Sequence, residues 1–224
     1  MYLNKIPGIV HRIYGAYLWR YNTQSPDLYL TFDDGPHPEI TPWVLDQLKE
    51  FNARATFFVV GKNVQQYPEI VHRAIDEGHS IGNHSYSHLN GWDTDSSVYL
   101  KDFLRAQRSL VEYTGYHTRL FRPPYGKVKR DAAKRIMRTH KMVMMDVISG
   151  DFDLNNTGKD CQRIVIQHAK PGSIILLHDS DKAWDRLEYA LPRLLRDLTA
   201  KGFQFLPIGE ARAKAQAARL ASSQ

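Results

Sequence analysis

Short apolar runs alternate with amphipathic stretches along almost the whole chain. Residues 28–32, 55–60, 80–83, 120–122, 142–148, 173–177 and 203–206 read as strands. Between them the apolar spacing becomes helical. Thr41 is placed as a cap and Pro42 as a first helical residue, with Val44, Leu45, Leu48 and Phe51 on one face and Asn52 closing it. Ile70, Val71, Ala74 and Ile75 mark a second helix that Gly78 stops. Leu100, Leu104, Leu110 and Val111 mark a longer third. Leu187, Leu191, Leu194, Leu195 and Leu198 mark the one before the last strand. Cys161, Ile164, Val165 and His168 also keep helical spacing.

Repeated strand–helix alternation predicts a parallel sheet covered by helices. Seven such units suit an incomplete or distorted (β/α) barrel, with an open doubly wound sheet as the second choice. No glycine fingerprint for a dinucleotide and no Walker loop interrupts the pattern. Residues 28–208 read as one catalytic domain. Residues 1–27 read as a segment laid against it, and the Ala/Arg-rich 209–224 as a surface helix or frayed tail.

Composition narrows the class. With 42% hydrophobic and 24% charged residues, the chain is neither disordered nor membrane-spanning. The N-terminal stretch carries Lys5, His11, Arg12 and Arg20 and lacks a small-residue cleavage site, so no standard signal peptide is expected. The expected location is cytoplasmic or membrane-peripheral, with weak adhesion to a membrane surface kept as an option. One cysteine, Cys161, excludes an internal disulfide and reads as a packed thiol. The net charge of +6 favours anionic partners. Yet the one basic cluster, Lys127, Lys129, Arg130, Lys134, Arg135, Arg138 and Lys141, reads as the wet face of a helix, and no nucleic-acid partner is expected.

The candidate chemistry lies just past the strand ends. Asp33 and Asp34 follow the first strand, and adjacent carboxylates repel unless a cation joins them; a solvated Asp-Asp-Gly-Pro turn is the alternative. His84 and His88 follow the third strand, with i,i+4 spacing that puts both imidazoles on one side of a helical turn. Arg122-Pro-Pro-Tyr-Gly126 follows the fourth, Asp151 and Phe152 the fifth, and His178 the sixth. In a parallel barrel these ends share one rim.

Asp34, His84 and His88 offer two nitrogens and an oxygen, the open ligand set of a catalytic zinc site. His79 could compete but is read as a hydrogen-bonded core histidine. Such a metal polarises a carbonyl and lowers the pKa of a water. Asp33 is then free to act as base, held by Arg122, while His178 supported by Asp151 suits the acid. The backbone N–H of Tyr125 could face the oxyanion. This set hydrolyses a small acyl amide or ester. Trp92 or Trp184 could form a stacking platform for sugar, although core packing explains either equally well.

These motifs resemble those of the polysaccharide deacetylases with the NodB-homology fold, carbohydrate esterase family four. Thr31-Phe-Asp-Asp-Gly35, His84-Ser-Tyr-Ser-His88, Arg122-Pro-Pro-Tyr-Gly126, Asp151-Phe152 and Leu176-Leu-His-Asp179 match its five motifs in order. The resemblance implies a deformed barrel and one divalent ion, usually zinc and sometimes cobalt, manganese or nickel. It also implies release of acetate from an N-acetylated glycan, with an O-acetyl xylan-type esterase or an inactive glycan-binding module as alternatives. Carried over by position, Asp33 is the base, Asp34, His84 and His88 are ligands, and His178 with Asp151 is the acid. Leu176 lines the pocket for the acetyl methyl. One departure stands out: Phe152 occupies a position that is commonly tryptophan, keeping a flat apolar wall but losing the indole N–H.

Overall fold

The computed structural model describes residues 3–209. Its elements run α1 (Gly8–Ile13), β1 (Asp27–Asp33), α2 (Ile40–Glu50), β2 (Thr56–Val59), α3 (Gly61–Gln66), α4 (Pro68–Asp76) and β3 (Ser80–Asn83). Then follow α5 (Ser96–Thr114), β4 (Leu120–Phe121), α6 (Arg130–Ile136), β5 (Lys141–Met142), β6 (Val147–Ile148), α7 (Gly158–His168), β7 (Ile174–His178), α8 (Trp184–Ala200) and β8 (Gln204–Phe205). The sheet has the order β5-β4-β3-β2-β1-β7-β6, with β8 added beside β1, and every pairing is parallel. It is a deformed (β/α) barrel.

Side-chain alternation along the strands divides the interior into two cores. Leu28, Leu30 and Phe32 of β1 point outward with Ile175 and Leu177 of β7, under the helices. Leu187, Leu191, Leu194, Leu195 and Leu198 of α8 cover them, each fully buried, and each such leucine contributes about 1.5–3 kcal/mol. Tyr29, Phe58, Ile174 and Leu176 belong to the second core, which fills the barrel.

The single strand expected over 142–148 is instead two, β5 and β6, so eight strands form. They are the two ends of the sheet, and residues 143–146 cross the gap between them. The N-terminal segment enters that gap. Leu18 N–H donates to Met142 O (2.8 Å) and Leu18 O accepts from Met144 N–H (2.7 Å), while Ile6 N–H donates to Asp146 O (3.1 Å). Lys5 Nζ and Ser173 Oγ both reach the buried Asp146 carboxylate at 2.6 Å.

Three other expectations change. Thr41 does not cap α2: the helix starts at Ile40, two residues before Pro42, and the Thr41 hydroxyl is engaged by His37 N–H and by Asp179. On α5 the buried stripe runs through Tyr99, Phe103, Ala106 and Leu110, because the two aromatics pack on Phe121, and Leu104 is left exposed. Trp184 is partly buried edge-on against Trp43, 5.1 Å between centroids, so it offers no platform. His79 is a core histidine, accepting from Ala55 N–H at 3.0 Å, and Cys161 is a buried thiol. Of the helix or tail expected over 209–224, all but Gly209 lies outside the described residues. Among the described residues no helix is long and apolar enough to cross a membrane.

Candidate active site

Asp33 is the last residue of β1 and His178 the last of β7, and the parallel register pairs them directly. Thr31 pairs with Leu176 one step back on the same face. Neither acid nor imidazole hangs free. Arg122 Nη1 donates to Asp33 Oδ1 and to Thr31 Oγ1, both at 2.7 Å. Arg122 is completely buried, its Nη2 donates to Met144 O at 2.8 Å, and its guanidinium lies 4.2 Å from the centre of the Phe58 ring. Phe58 can sit there because β3 has glycine opposite: a Cβ on Gly82 would come within 2.3 Å of that ring.

On the other side, Asp151 grips His178 with both oxygens. Oδ2 accepts from the His178 backbone N–H at 2.7 Å, and Oδ1 lies 2.8 Å from Nδ1. Burial alone would lower the imidazole, but Asp151, with Asp34 and Asp33 nearby, outweighs it and pushes His178 up to about 9. His178 is therefore an imidazolium at neutral pH. Phe152 meets its ring edge-on at 5.3 Å.

Asp34 leaves the strand with φ of 83°, and both carboxylates approach His84 Nε2, Asp33 Oδ2 at 3.7 Å and Asp34 Oδ1 at 3.6 Å. His88 Nε2 lies 3.0 Å and His84 Nε2 3.6 Å from Asp34 Oδ1. The stretch 84–88 is a loop, not the helical turn that the spacing suggested; Ser85 and His88 both take positive φ. The imidazoles still meet, 5.0 Å between centroids. His84 Nδ1 is 2.8 Å from the Arg122 carbonyl, which can only accept, so Nδ1 carries the proton and Nε2 keeps its lone pair. Burial pulls His84 down to about 4, so it is neutral. Burial works to raise Asp34, but His88, close against its Oδ1, together with the His178 and His84 imidazoles, holds it well below the usual carboxylate range.

One ligand atom from each of Asp34, His84 and His88 lies within 4.8 Å of the others. Asp34 Oδ1 is buried with no well-aligned hydrogen-bond donor, although His88 stands close. An anionic oxygen and a neutral imidazole lone pair converging on one point fit a divalent cation and little else. Tyr125 lies on the neighbouring turn at φ of 58°, its ring 4.7 Å from His88 and mostly exposed. Leu176 is buried within the barrel core, on the same strand face as His178.

Several residues around this site had no assigned role in the sequence reading. Asp179 is buried behind the Asp34 turn: its Oδ1 accepts from Gly35 N–H at 3.1 Å and its Oδ2 from Thr41 Oγ1 at 2.5 Å. Arg186 of α8 is buried too, donating from Nε to the Asp151 carbonyl at 2.6 Å. The available signals were a charge directly after a buried strand, which Asp179 shares with Asp34, and its place at the end of Leu176-Leu-His-Asp179.

The family model described as polysaccharide deacetylase matches residues 20–144. The chain is 36% identical to the peptidoglycan-N-acetylglucosamine deacetylase PgdA of Listeria monocytogenes over 181 residues, covering 81% of this chain and 38% of that protein. It is 32% identical over 198 residues to a peptidoglycan-N-acetylglucosamine deacetylase of Bacillus cereus, covering 88% and 92% of the two. Among solved structures, the Bc1960 peptidoglycan N-acetylglucosamine deacetylase superposes with a TM-score of 0.82 at 32% identity, over 91% of this chain and 95% of that one. The chain belongs to the polysaccharide deacetylase family.

Proposed function

We propose that the protein is a divalent-metal-dependent deacetylase that releases acetate from N-acetylglucosamine-type glycans. The observation that carries this reading is the neighbouring pair Asp33 and His178, one fixed by Arg122 and the other by Asp151, beside the Asp34, His84 and His88 trio. The relatives named above supply the substrate class.

Asp34, His84 and His88 would hold the ion, with zinc the first choice on a two-nitrogen, one-oxygen set and cobalt, manganese or nickel as substitutes. Bound there, it supplies Lewis acidity toward the acetamide carbonyl and a water that ionises near neutral pH. Asp33 takes the proton from the attacking water, and its bond to Arg122 keeps the accepting oxygen in place. His178, protonated and steered by Asp151, delivers a proton to the departing amine. The Tyr125 N–H serves the developing oxyanion, and Leu176 with Phe152 bounds the acetyl methyl.

The test is acetate release by Asp33→Asn, measured on N-acetylglucosamine oligomers, acetylated xylan and peptidoglycan with defined metal content. Turnover should fall roughly 10²–10⁴-fold while metal binding persists. Undiminished release by the variant, or turnover of xylan alone, contradicts the reading.

A further inference from the structure

We propose that Trp92, steadied by Lys127, forms a second sugar subsite beside the reaction centre, taking the pyranose next to the one that bears the acetamide. The inference rests on the glycan reading above. Trp92 lies four positions beyond His88 and is 60% exposed, an unusual position for an indole outside an interface. It is held from three directions. Its backbone N–H donates to Asn90 Oδ1 (3.0 Å) in a turn that Asn90 Nδ2 closes onto Asp93 Oδ2 (2.6 Å). Gly91 forms a parallel bridge to Val128, so close that a Cβ on Gly91 would fall 2.5 Å from Lys127 O. Lys127 Nζ stands 5.1 Å from the centre of the indole.

The same loop contact ties the loop that carries the indole to the turn that borders the site. Lys127 directly follows the Pro124–Gly126 turn, and Tyr125 of that turn rests on His88 and is itself 63% exposed. Lys129 Nζ adds a further tie to Thr94 O at 2.9 Å. An exposed ring whose backbone is pinned and which already meets Lys127 loses less freedom when a ligand arrives than one on a loose loop. The apolar C–H face of a pyranose fits the face of such a ring that Lys127 does not cover.

Isothermal titration of the N-acetylglucosamine hexamer into metal-loaded Asp33→Asn protein, with and without Trp92→Ala, tests this directly. Loss of the indole should weaken binding roughly 2- to 10-fold, the usual worth of an aromatic contact, and Trp92→Phe should restore most of it. In otherwise native protein, Trp92→Ala should raise KM for the hexamer by a similar factor, with kcat and p-nitrophenyl acetate hydrolysis unchanged. Equal affinity with and without Trp92, or no binding in either background, overturns the subsite. Absence of acetate release by the native protein would defeat the activity assignment instead, because the titration does not depend on turnover.

Discussion

The Asp179 carboxylate occupies the space that a side chain at Gly35 would need: a Cβ there would lie 2.1 Å from Asp179 Oδ2. The two residues are also joined by the Gly35 N–H bond to Oδ1. Asp34, the only carboxylate of the three-residue cluster, is therefore aimed by a neighbour that touches no ligand. Gly35→Ala should move the turn, lowering metal affinity and acetate release together at least about tenfold and costing about 1–3 kcal/mol of stability through overpacking. Metal titration and a thermal melt check this. A variant with native metal affinity would show that the turn tolerates the shift.

Asp179 itself can be probed without a clash. Burial pushes its carboxyl up to about 8, so a neutral amide is a close substitute. Asp179→Asn should stay near native stability at pH 7. Asp179→Ala, which strips the acceptor from Gly35 N–H and Thr41 Oγ1, should cost about 1–3 kcal/mol. Denaturant midpoints of the two variants make the comparison.

The pH dependence of kcat/KM should carry a basic limb governed by His178. The raised pKa means the acid is present at neutral pH and is lost as pH rises through about 9. The stabilising contribution of the Asp151–His178 pair follows the same sign: fully present below the unfolded value near 6.5 and gone above about 9. Asp151→Asn should draw the limb toward 6.5 and reduce the plateau. A limb that does not move would remove His178 from the role of acid.

Gly82 and Phe58 test the support of Arg122 from a distance. Gly82→Ala should displace the ring beneath the guanidinium and loosen the Arg122–Asp33 bond. The expected result is a lower kcat with KM nearly constant, since Asp33 is assigned to proton transfer rather than binding. A change confined to KM would contradict this chain of contacts.

Metal removal should destabilise the protein. At free metal about 100 times the dissociation constant, binding adds about 2.7 kcal/mol, so chelation should lower the melting temperature and restored zinc should raise it. His84→Ala should abolish the response. A melt indifferent to chelator would exclude the Asp34, His84 and His88 cluster as a metal site.

The sequence by itself determined which side chains could do chemistry and where along the strands they stand. Short continuous apolar runs, helical apolar spacing and polar residues at strand ends are local properties, so the β1 and β7 residues and the leucines of α8 were readable one segment at a time. Where local cues were ambiguous the reading slipped: the run 142–148 looked like one strand, and the 84–88 spacing looked helical. Only the tertiary structure decided that β7 lies beside β1 and so makes Asp33 and His178 neighbours. The entry of the N-terminal segment between β5 and β6, and the seat of Asp179 against Gly35, were decided there too. Each of these joins segments more than 100 residues apart, and such pairings are selected by how whole faces bury together. No short stretch of sequence records that choice.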